Sequence, residues 1–213
     1  MKNFSSTFVA LFLCGMAVSI QADEPMIKIV YRNIGPELSP DSFVAKPKTF
    51  YLWGATRSRT EELPDPALKL QELIISNGKD IWMVNLWDKT GRHIIDPGPT
   101  YNAHAPIVPS DPGTSPRVKD FEMAHEMEFM VKHQAKLSEG KLNGVPSVVY
   151  ETTQEGLTLR LYLVPATKMP MGVSVYDGDH CLRQILYDEY TTNLKSDPSL
   201  FKPPEGIQMS EVR

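Results

Sequence analysis

The chain has 213 residues, with 22 lysines and arginines against 26 aspartates and glutamates, so its formal net charge is −4. This mild acidity argues against nucleic acid or an anionic membrane surface as a main partner, because both attract basic proteins. The two cysteines are Cys14 and Cys181. If Cys14 belongs to a cleaved leader, no intrachain disulfide can form, and the fold must be held together by its core.

The first 22 residues have the composition of a secretory leader. They begin with Lys2, continue with an apolar run from Phe8 to Ile20, contain no acidic residue and end at the small Ala22. The apolar run is too short to cross a bilayer, so the pattern predicts a signal peptide over residues 1–22 and no transmembrane segment. We therefore expect an exported protein whose residues 23–213 form a single domain.

Strand signals dominate the first half of that domain. Residues 26–32 and 49–53 are short runs rich in β-branched and aromatic side chains. Two further runs, 73–76 and 81–87, are joined by Asn77-Gly78, the pair preferred in a type I′ hairpin turn. A second hairpin is expected directly after them. This half of the domain is predicted to be an antiparallel meander.

A single helix is predicted in the middle of the chain. Residues 97–116 form a loop rich in proline and glycine, and its end, Ser115 and Pro116, suits an N-cap and a first helical position. Beyond it, apolar residues recur with helical spacing as far as residue 134. They are Phe121, Ala124, Met127, Met130 and Val131. The spacing predicts a helix over residues 117–134.

Sheet signals return after this helix. A hairpin is predicted at Asn143 and Gly144, followed by strands over residues 148–152 and 157–164. In the second of these, four leucines alternate with more polar residues, from Leu157 to Leu163. That period of two predicts a strand with one apolar face.

The C-terminal segment carries the strongest local signals. Asp177 and Gly178 predict a tight hairpin turn, because both central residues of such a turn need a positive φ. A strand follows over residues 181–190. The polar, proline-rich end holds one apolar pair, Leu200 and Phe201, which we expect to anchor an irregular tail on the sheet.

Turn, strand and tail residues at this end follow one another in a particular order. They are Thr167, Pro170, Tyr176, Asp177, Tyr187, Tyr190, Asn193, Asp197, Phe201, Pro204 and Gly206. In order and spacing they resemble the end of the LolA-like superfamily of outer-membrane lipoprotein-sorting proteins, and the resemblance extends over most of residues 26–207. Two features differ from the carriers proper: Met26 begins a strand where they have a helix, and Leu52 precedes Trp53 where they have an arginine.

The resemblance implies a fold in which a strongly curved sheet is covered on its concave side. Together with the strand count, about nine to eleven antiparallel strands, it predicts a mainly β protein with one main helix, of the α+β class. The sheet would be a half-barrel covered by the mid-chain helix. Its apolar face is larger than one short helix can cover, so the sheet either curls on itself or leaves a groove.

Such a groove is the candidate binding site for a hydrophobic ligand. The residues expected to line it are Trp82, Phe121, Met127, Met130, Leu159, Leu161 and Leu163. Methionine and phenylalanine adapt to ligands of variable shape, which suits an acyl chain. An ordinary packed core would contain the same residues, and strand alternation keeps Trp82 and Met83 from both facing inward.

Catalytic signals are weak. His125-Glu126 on the predicted helix invites comparison with zinc proteases, but the position of their second histidine is Phe129 here. The chain has no Gly-x-Ser-x-Gly elbow and no glycine-rich phosphate loop. Cys181 falls on a predicted strand, where a buried, inert thiol is expected. We expect no enzymatic activity, no catalytic residue, no metal and no cofactor.

The sequence therefore predicts a periplasmic, non-catalytic carrier or binding protein for lipid or lipoprotein acyl chains. Its partners would be the acyl chain itself and membrane proteins of the cell envelope, with no nucleic acid, and it is expected to be a monomer. The alternative is a sensing or protein-binding module similar to the sigma-factor regulator RseB, which shares the fold of the superfamily. RseB-like proteins carry a second domain, for which this chain is too short.

Overall fold

The computed structural model describes residues 24–35, 38–110 and 115–212, so the predicted signal peptide lies outside the described residues. Within them, twelve strands form one sheet. The strands are β1 (Met26–Ile34), β2 (Lys48–Trp53), β3 (Arg57–Glu62), β4 (Glu72–Asn77), β5 (Asp80–Asn85), β6 (Thr90–Ile95), β7 (Lys136–Leu142), β8 (Val145–Gln154), β9 (Leu157–Leu163), β10 (Pro170–Asp177), β11 (His180–Leu194) and β12 (Gln208–Val212). The helical elements are α1 (Glu126–Lys132) and two 3-10 turns, Phe43–Ala45 and Pro198–Phe201.

Two meanders joined side by side make up the sheet. Its strand order is β12-β6-β5-β4-β3-β2-β1-β11-β10-β9-β8-β7. Strands β1 to β6 form one meander and β7 to β11 the other, and the antiparallel pairing of β1 with the long β11 joins them. Strand β12 lies parallel to β6 at one edge. The sheet is open, with β7 at its other edge.

The predicted α+β class and the half-barrel under a helix are wrong. Of the residues that the structure describes, strands account for 52% and helical residues for 8%, so this part of the chain is mainly β. Helix α1 has seven residues, about two turns, which is far too short to cover a twelve-stranded sheet. The antiparallel pairing predicted for the sheet is confirmed, apart from the parallel β12. No helix in the described part of the chain is long and apolar enough to cross a membrane.

The helix is short because the first half of the predicted segment is used in another way. The backbone N–H of Ile107 donates to the carbonyl of Phe121 at 2.9 Å, and that of Met123 donates to the carbonyl of Ala105 at 3.0 Å. These pairs hold residues 121–123 in an extended bridge. Ala124 then takes a positive φ of 71°, which no helix interior allows. The N-cap predicted at Ser115 is therefore wrong as well.

The predicted hairpins are confirmed, with a detail of register. Asn143 and Gly144 form a two-residue turn with φ of 49° and 81°, as a type I′ turn requires. In the hairpins predicted at Asn77-Gly78 and at Asp177-Gly178 the two-residue loop begins at Gly78 and at Gly178, one residue later than predicted. The preceding Asn77 and Asp177 pair within the strands instead.

Directly opposite residues on neighbouring strands point to the same face, so the strand pairing assigns the buried side chains to two faces of the sheet. Different segments of the chain cover these two faces. The first, here the cover face, carries Ile29, Phe50, Leu159 and Val173 and is covered by residues 103–108 and 118–132, which we call the cover. The second, the tail face, is covered over β2 to β5 by residues 198–209, which we call the tail. Phe201 anchors the tail at 1% exposure, which confirms the predicted anchor.

Candidate functional site

Six of the seven residues predicted to line a groove come together on the cover face. Phe121 and Met130 belong to the cover, and both are fully buried against β9. Met127, on α1, is half-buried against the same cluster. The β9 members, Leu159, Leu161 and Leu163, are at most 1% exposed. Their side chains therefore fill the space between sheet and cover.

Trp82 lies apart from the other six. It pairs directly with Ile75, which belongs to the apolar cluster of the tail face. Its ring stacks on His93 at 5.2 Å between ring centroids. Its neighbour Met83 therefore points to the opposite face and is 38% exposed. Trp82 is predicted to line the groove, but the strand register places it on the tail face, and Met83, on the opposite face, is not part of the apolar cluster beneath the cover.

A buried carboxyl group joins the cover to the sheet. Glu126, the first residue of α1, is 1% exposed and faces β11. Its Oε1 accepts a short hydrogen bond from the hydroxyl of Tyr187, and its Oε2 accepts one from Tyr190 at 3.3 Å. An ionised carboxylate is costly to bury, and two hydroxyl donors offset part of that cost. This carboxyl–tyrosine cluster is the main polar contact inside the apolar cover face.

A β-bulge brings the two tyrosines to the same face. Residues three apart on a regular strand point to opposite faces. Between β1 and β11, however, Tyr31 pairs with Tyr187 and Val30 with Glu189, so Asp188 is an extra residue without an opposite partner. The extra residue turns both Tyr187 and Tyr190 toward Glu126. Their rings lie 5.6 Å apart.

Burial shifts the titration of all three groups in one direction. Desolvation raises the pKa of Glu126, although the tyrosine hydrogen bonds oppose the rise. Desolvation and the neighbouring carboxylate together raise the pKa of Tyr187 far above its ordinary range, and that of Tyr190 as well. The tyrosines therefore stay protonated and keep donating, while Glu126 is the group that can change charge.

An arginine makes the second polar attachment of the cover. Arg183, on β11, donates from Nη1 to the carbonyl of Ile107 at 3.1 Å and from Nε to the amide oxygen of Asn33 at 3.2 Å. Burial lowers the pKa of the Arg183 guanidinium, although its ordinary value is so high that it remains charged. The cover is thus attached to β11 by one carboxyl group and one guanidinium.

Histidines and cysteine lie outside this cluster. His104 contacts Glu122 at 2.7 Å and His125 contacts Glu128 at 3.2 Å. Over residues 24–35, 38–110 and 115–212, no group of three or more His, Cys, Asp or Glu side chains is arranged to hold a metal. Cys181 is a free, half-buried thiol.

The sequence contains one indication of this cluster, a carboxylate on the apolar face of α1, which apolar periodicity alone does not reveal. Glu126 precedes Phe129 and Met130 by three and four residues, so it shares their face of α1. A carboxylate on the apolar face of a helix indicates a buried partner. The partners Tyr187 and Tyr190 could not be paired with it, because the bulge that aligns them has no mark in the sequence.

Comparisons with known proteins establish the fold alone. No family model and no curated protein matches the sequence. The crystal structure of an uncharacterized conserved protein from Thermus thermophilus aligns with 90% of this chain and 92% of its own, at 13% identity and a TM-score of 0.50. At that identity the likeness shows a shared fold and nothing about function.

Two further solved structures align less closely. The crystal structure of MucB aligns with 88% of this chain at 14% identity and a TM-score of 0.40, and this chain spans 59% of it. The structure of PNGF-II aligns with 88% of this chain at 11% identity and a TM-score of 0.36, and this chain spans 31% of it. Neither likeness carries an argument about this protein. The resemblance to the LolA-like superfamily therefore enters only as part of the proposed function.

Proposed function

We propose that the protein is a periplasmic, non-catalytic carrier or binding protein of the LolA-like type. It would hold the acyl chain of a lipid or lipoprotein between the cover face and the cover. One observation carries the proposal: Phe121, Met127 and Met130 of the cover meet Leu159, Leu161 and Leu163 of β9 in one apolar cluster. The two sides of that cluster come from separate segments of the chain.

Binding would work by exchange of apolar contacts. The cover consists of a seven-residue helix and irregular chain, so its own backbone hydrogen bonds hold it weakly. When it moves away from β9, the leucines of the sheet become the floor of a groove. An acyl chain that takes the place of Phe121 and Met130 is removed from water, and each buried methylene contributes about 0.8 kcal/mol of favourable binding free energy. No covalent step and no cofactor is needed.

The polar attachments would set how far the cover moves. Glu126 with Tyr187 fixes one end of α1, and Arg183 with the carbonyl of Ile107 fixes residues 103–108. Between these two points the cluster contacts are apolar and non-directional. Met127, half-buried beside them, lies where a ligand would first contact the helix.

A charge at Met127 tests the proposal. Met127→Asp should abolish uptake of a fluorescent fatty-acid probe, because a carboxylate in an apolar groove is costly to desolvate. Half-burial of Met127 lets the variant keep its fold, which circular dichroism and the thermal midpoint would check. The matched control is Val131→Asp on the same helix, where the side chain is 66% exposed. That control should bind the probe as the unmodified protein does.

Two results would count against a groove. If Met127→Asp unfolds the protein while Val131→Asp does not, Met127 is a core residue and no more. If Met127→Asp stays folded and binds the probe normally, the site is not under the cover. Loss of binding in the folded variant, with the control intact, supports the proposal.

A protein-binding module of the cell envelope is the second candidate. The open edge of the sheet favours it: among the described strands β7 pairs with β8 alone, and its Leu137 is 63% exposed. An open strand edge with an exposed apolar side chain can accept a strand of another chain. An unmodified protein that binds no acyl probe but captures an envelope partner, which Leu137→Lys then loses, would favour this candidate over the carrier.

A further inference from the structure

A cleft opens where β1 ends beside β11. Its volume is about 600 Å³, within the size range of small-molecule sites. The last pair of the β1–β11 ladder is Ile34 with Gln184, so residues 180–183 of β11 continue with their β1 side unpaired. Leu38 and Val44 line the cleft from the segment that follows β1. The cleft thus lies at the end of the cover face, outside the filled apolar cluster.

Arg183 lines this cleft, and in the part of the chain that the structure describes its guanidinium hydrogen-bonds to neutral acceptors. Its acceptors are the amide oxygen of Asn33 at 3.2 Å and the carbonyls of Ile107 at 3.1 Å and Pro106 at 3.4 Å. Among the residues that the structure describes, no carboxylate forms an ion pair with it. A partly buried guanidinium surrounded by neutral oxygens keeps a desolvation cost that an anion would offset.

The donors of Arg183 are also only partly used. A guanidinium has five N–H donors in a planar fork. The hydrogen bonds to Asn33, Pro106 and Ile107 engage Nε and Nη1, and within the described chain none is formed by Nη2. A planar fork with free N–H groups matches the oxygens of a carboxylate or a phosphate.

The rest of the cleft is amphipathic. Ile34, Leu38, Val44 and Leu182 provide apolar surface. Asp179, in the turn before β11, and His180, the first residue of β11, add a polar rim that includes one carboxylate. An apolar wall beside a single unpaired cation suits a molecule with one anionic group and a hydrocarbon part, whereas a free inorganic anion would leave the apolar wall unused.

We propose that the Arg183 cleft binds the anionic head group, carboxylate or phosphate, of an amphiphile. The guanidinium donates to the head-group oxygens, and the apolar wall contacts the first carbons of the chain. This inference rests on the proposed function and names its ligand class: an anionic amphiphile whose head group lies at the rim and whose chain runs toward the cover.

Matched ligands separate the head group from the chain. Oleate and oleyl alcohol share the same hydrocarbon chain and differ in charge. Titration calorimetry on the mature protein, residues 23–213, should give a dissociation constant about tenfold or more lower for oleate, as expected for one charge-assisted hydrogen bond. Inorganic phosphate alone should bind at least about tenfold more weakly than oleate, because it uses none of the apolar wall.

A glutamate introduced into the cleft tests the role of Arg183 without removing it. Val44 is 52% exposed and lines the same cleft, so Val44→Glu should fold normally while adding a carboxylate to the cleft. Both ligands lose the apolar contact with Val44, but only oleate is also repelled, so we expect the variant to weaken oleate about tenfold more than it weakens oleyl alcohol. Val131→Glu, on α1 and 66% exposed, is the matched control and should leave both ligands unchanged. Arg183→Gln, if folded, should reduce the affinity for oleate to the affinity for oleyl alcohol.

The outcomes distinguish the inference from the proposed function. Equal affinity for oleate and oleyl alcohol, with the same effect of Val44→Glu on both, would overturn the inference and leave the carrier proposal intact. Failure of both ligands to bind would overturn the carrier proposal and the inference with it. If inorganic phosphate binds as tightly as oleate, the cleft is an anion site to which a hydrocarbon chain contributes no affinity. That result would also overturn the inference.

Discussion

The two segments that cover the sheet differ in what they bury. The tail is held by Phe201, whose ring lies 5.7 Å from that of Trp53, and by side chains of the sheet that donate to its backbone. Arg59 donates to the carbonyl of Leu200 at 2.8 Å, and Asn77 donates to that of Phe201 at 3.2 Å. The cover, in contrast, buries the carboxyl group of Glu126 beside the apolar cluster.

The contacts of the tail stabilise the fold without burying a carboxyl group, whereas the contact that the cover makes through Glu126 requires a carboxyl group to be desolvated. Bonds from side chains to carbonyls satisfy the tail backbone and do not depend on pH near neutrality. Ionisation of a buried carboxyl group, in contrast, costs free energy. Groups whose pKa is strongly perturbed in this way concentrate at functional sites. The tail is therefore a structural contact, and the cover is the segment that the proposed function requires to move.

The strongest test of the tail is removal of its anchor. Phe201→Ala should lower the free energy of unfolding by about 3–5 kcal/mol, because it deletes a fully buried ring and leaves a cavity against Trp53. Urea denaturation would measure the loss. Acyl-probe binding per folded molecule should not change. A folded variant that loses probe binding would show that the tail also belongs to the site.

A smaller effect should distinguish the buried carboxyl contact from a buried contact between hydroxyls. Tyr187→Phe removes a hydroxyl that donates to the Glu126 carboxyl, and at a pH where that carboxyl is ionised we expect it to cost about 1.5–3 kcal/mol. The matched control is Tyr162→Phe, because the hydroxyl of Tyr162 is also buried but bonds to the neutral Ser174 at 3.0 Å. That variant should lose about 0.5–1.5 kcal/mol. Equal losses in denaturant titrations would contradict a special role for the carboxyl group.

The smallest effect is a dependence on pH. Because burial raises the pKa of Glu126 above its ordinary value of 4.5, the folded state holds this proton more tightly than the unfolded state does. Stability from this group is complete below pH 4.5 and is lost as the pH rises through the raised value, at no more than about 1.4 kcal/mol per pH unit.

Glu126→Gln isolates that contribution, since other acids such as Glu72 also have a raised pKa. The amide cannot ionise, so the difference in unfolding free energy between the variant and the unmodified protein should change between acid and neutral pH. The unmodified protein should lose stability relative to the variant as the pH rises. A constant difference across this range would mean that Glu126 titrates as it does in water.

Local turn chemistry made much of the sheet predictable. Asn143 with Gly144, Gly78 and Gly178 mark tight hairpins, and the alternating leucines of β9 identify its buried face. Strand β3 was harder to recognise, because its sequence RSRTEE has no apolar period and is held by its neighbours on both sides. Its Glu62 pairs with Lys48 of β2 at 3.1 Å.

Contacts between distant segments could not be predicted. The spacing of Phe121 with Met127 and Met130 is helical, yet Phe121 belongs to a bridge with residues 105–107 that breaks the helix. The bulge at Asp188 that aligns the two tyrosines is likewise a property of strand register. The Arg183 cleft depends on where β1 stops pairing, which no local pattern reveals.

The proposed function requires the protein to carry an acyl chain between its sheet and its cover. Mass spectrometry of an organic extract would test this, on protein without the predicted signal peptide, purified after export without detergent and compared with a mock purification. We expect a lipid or acyl species in about stoichiometric amount, lost from the folded Met127→Asp variant and retained by Val131→Asp. A lipid-free protein that also fails to bind a fluorescent acyl probe would contradict the proposed function.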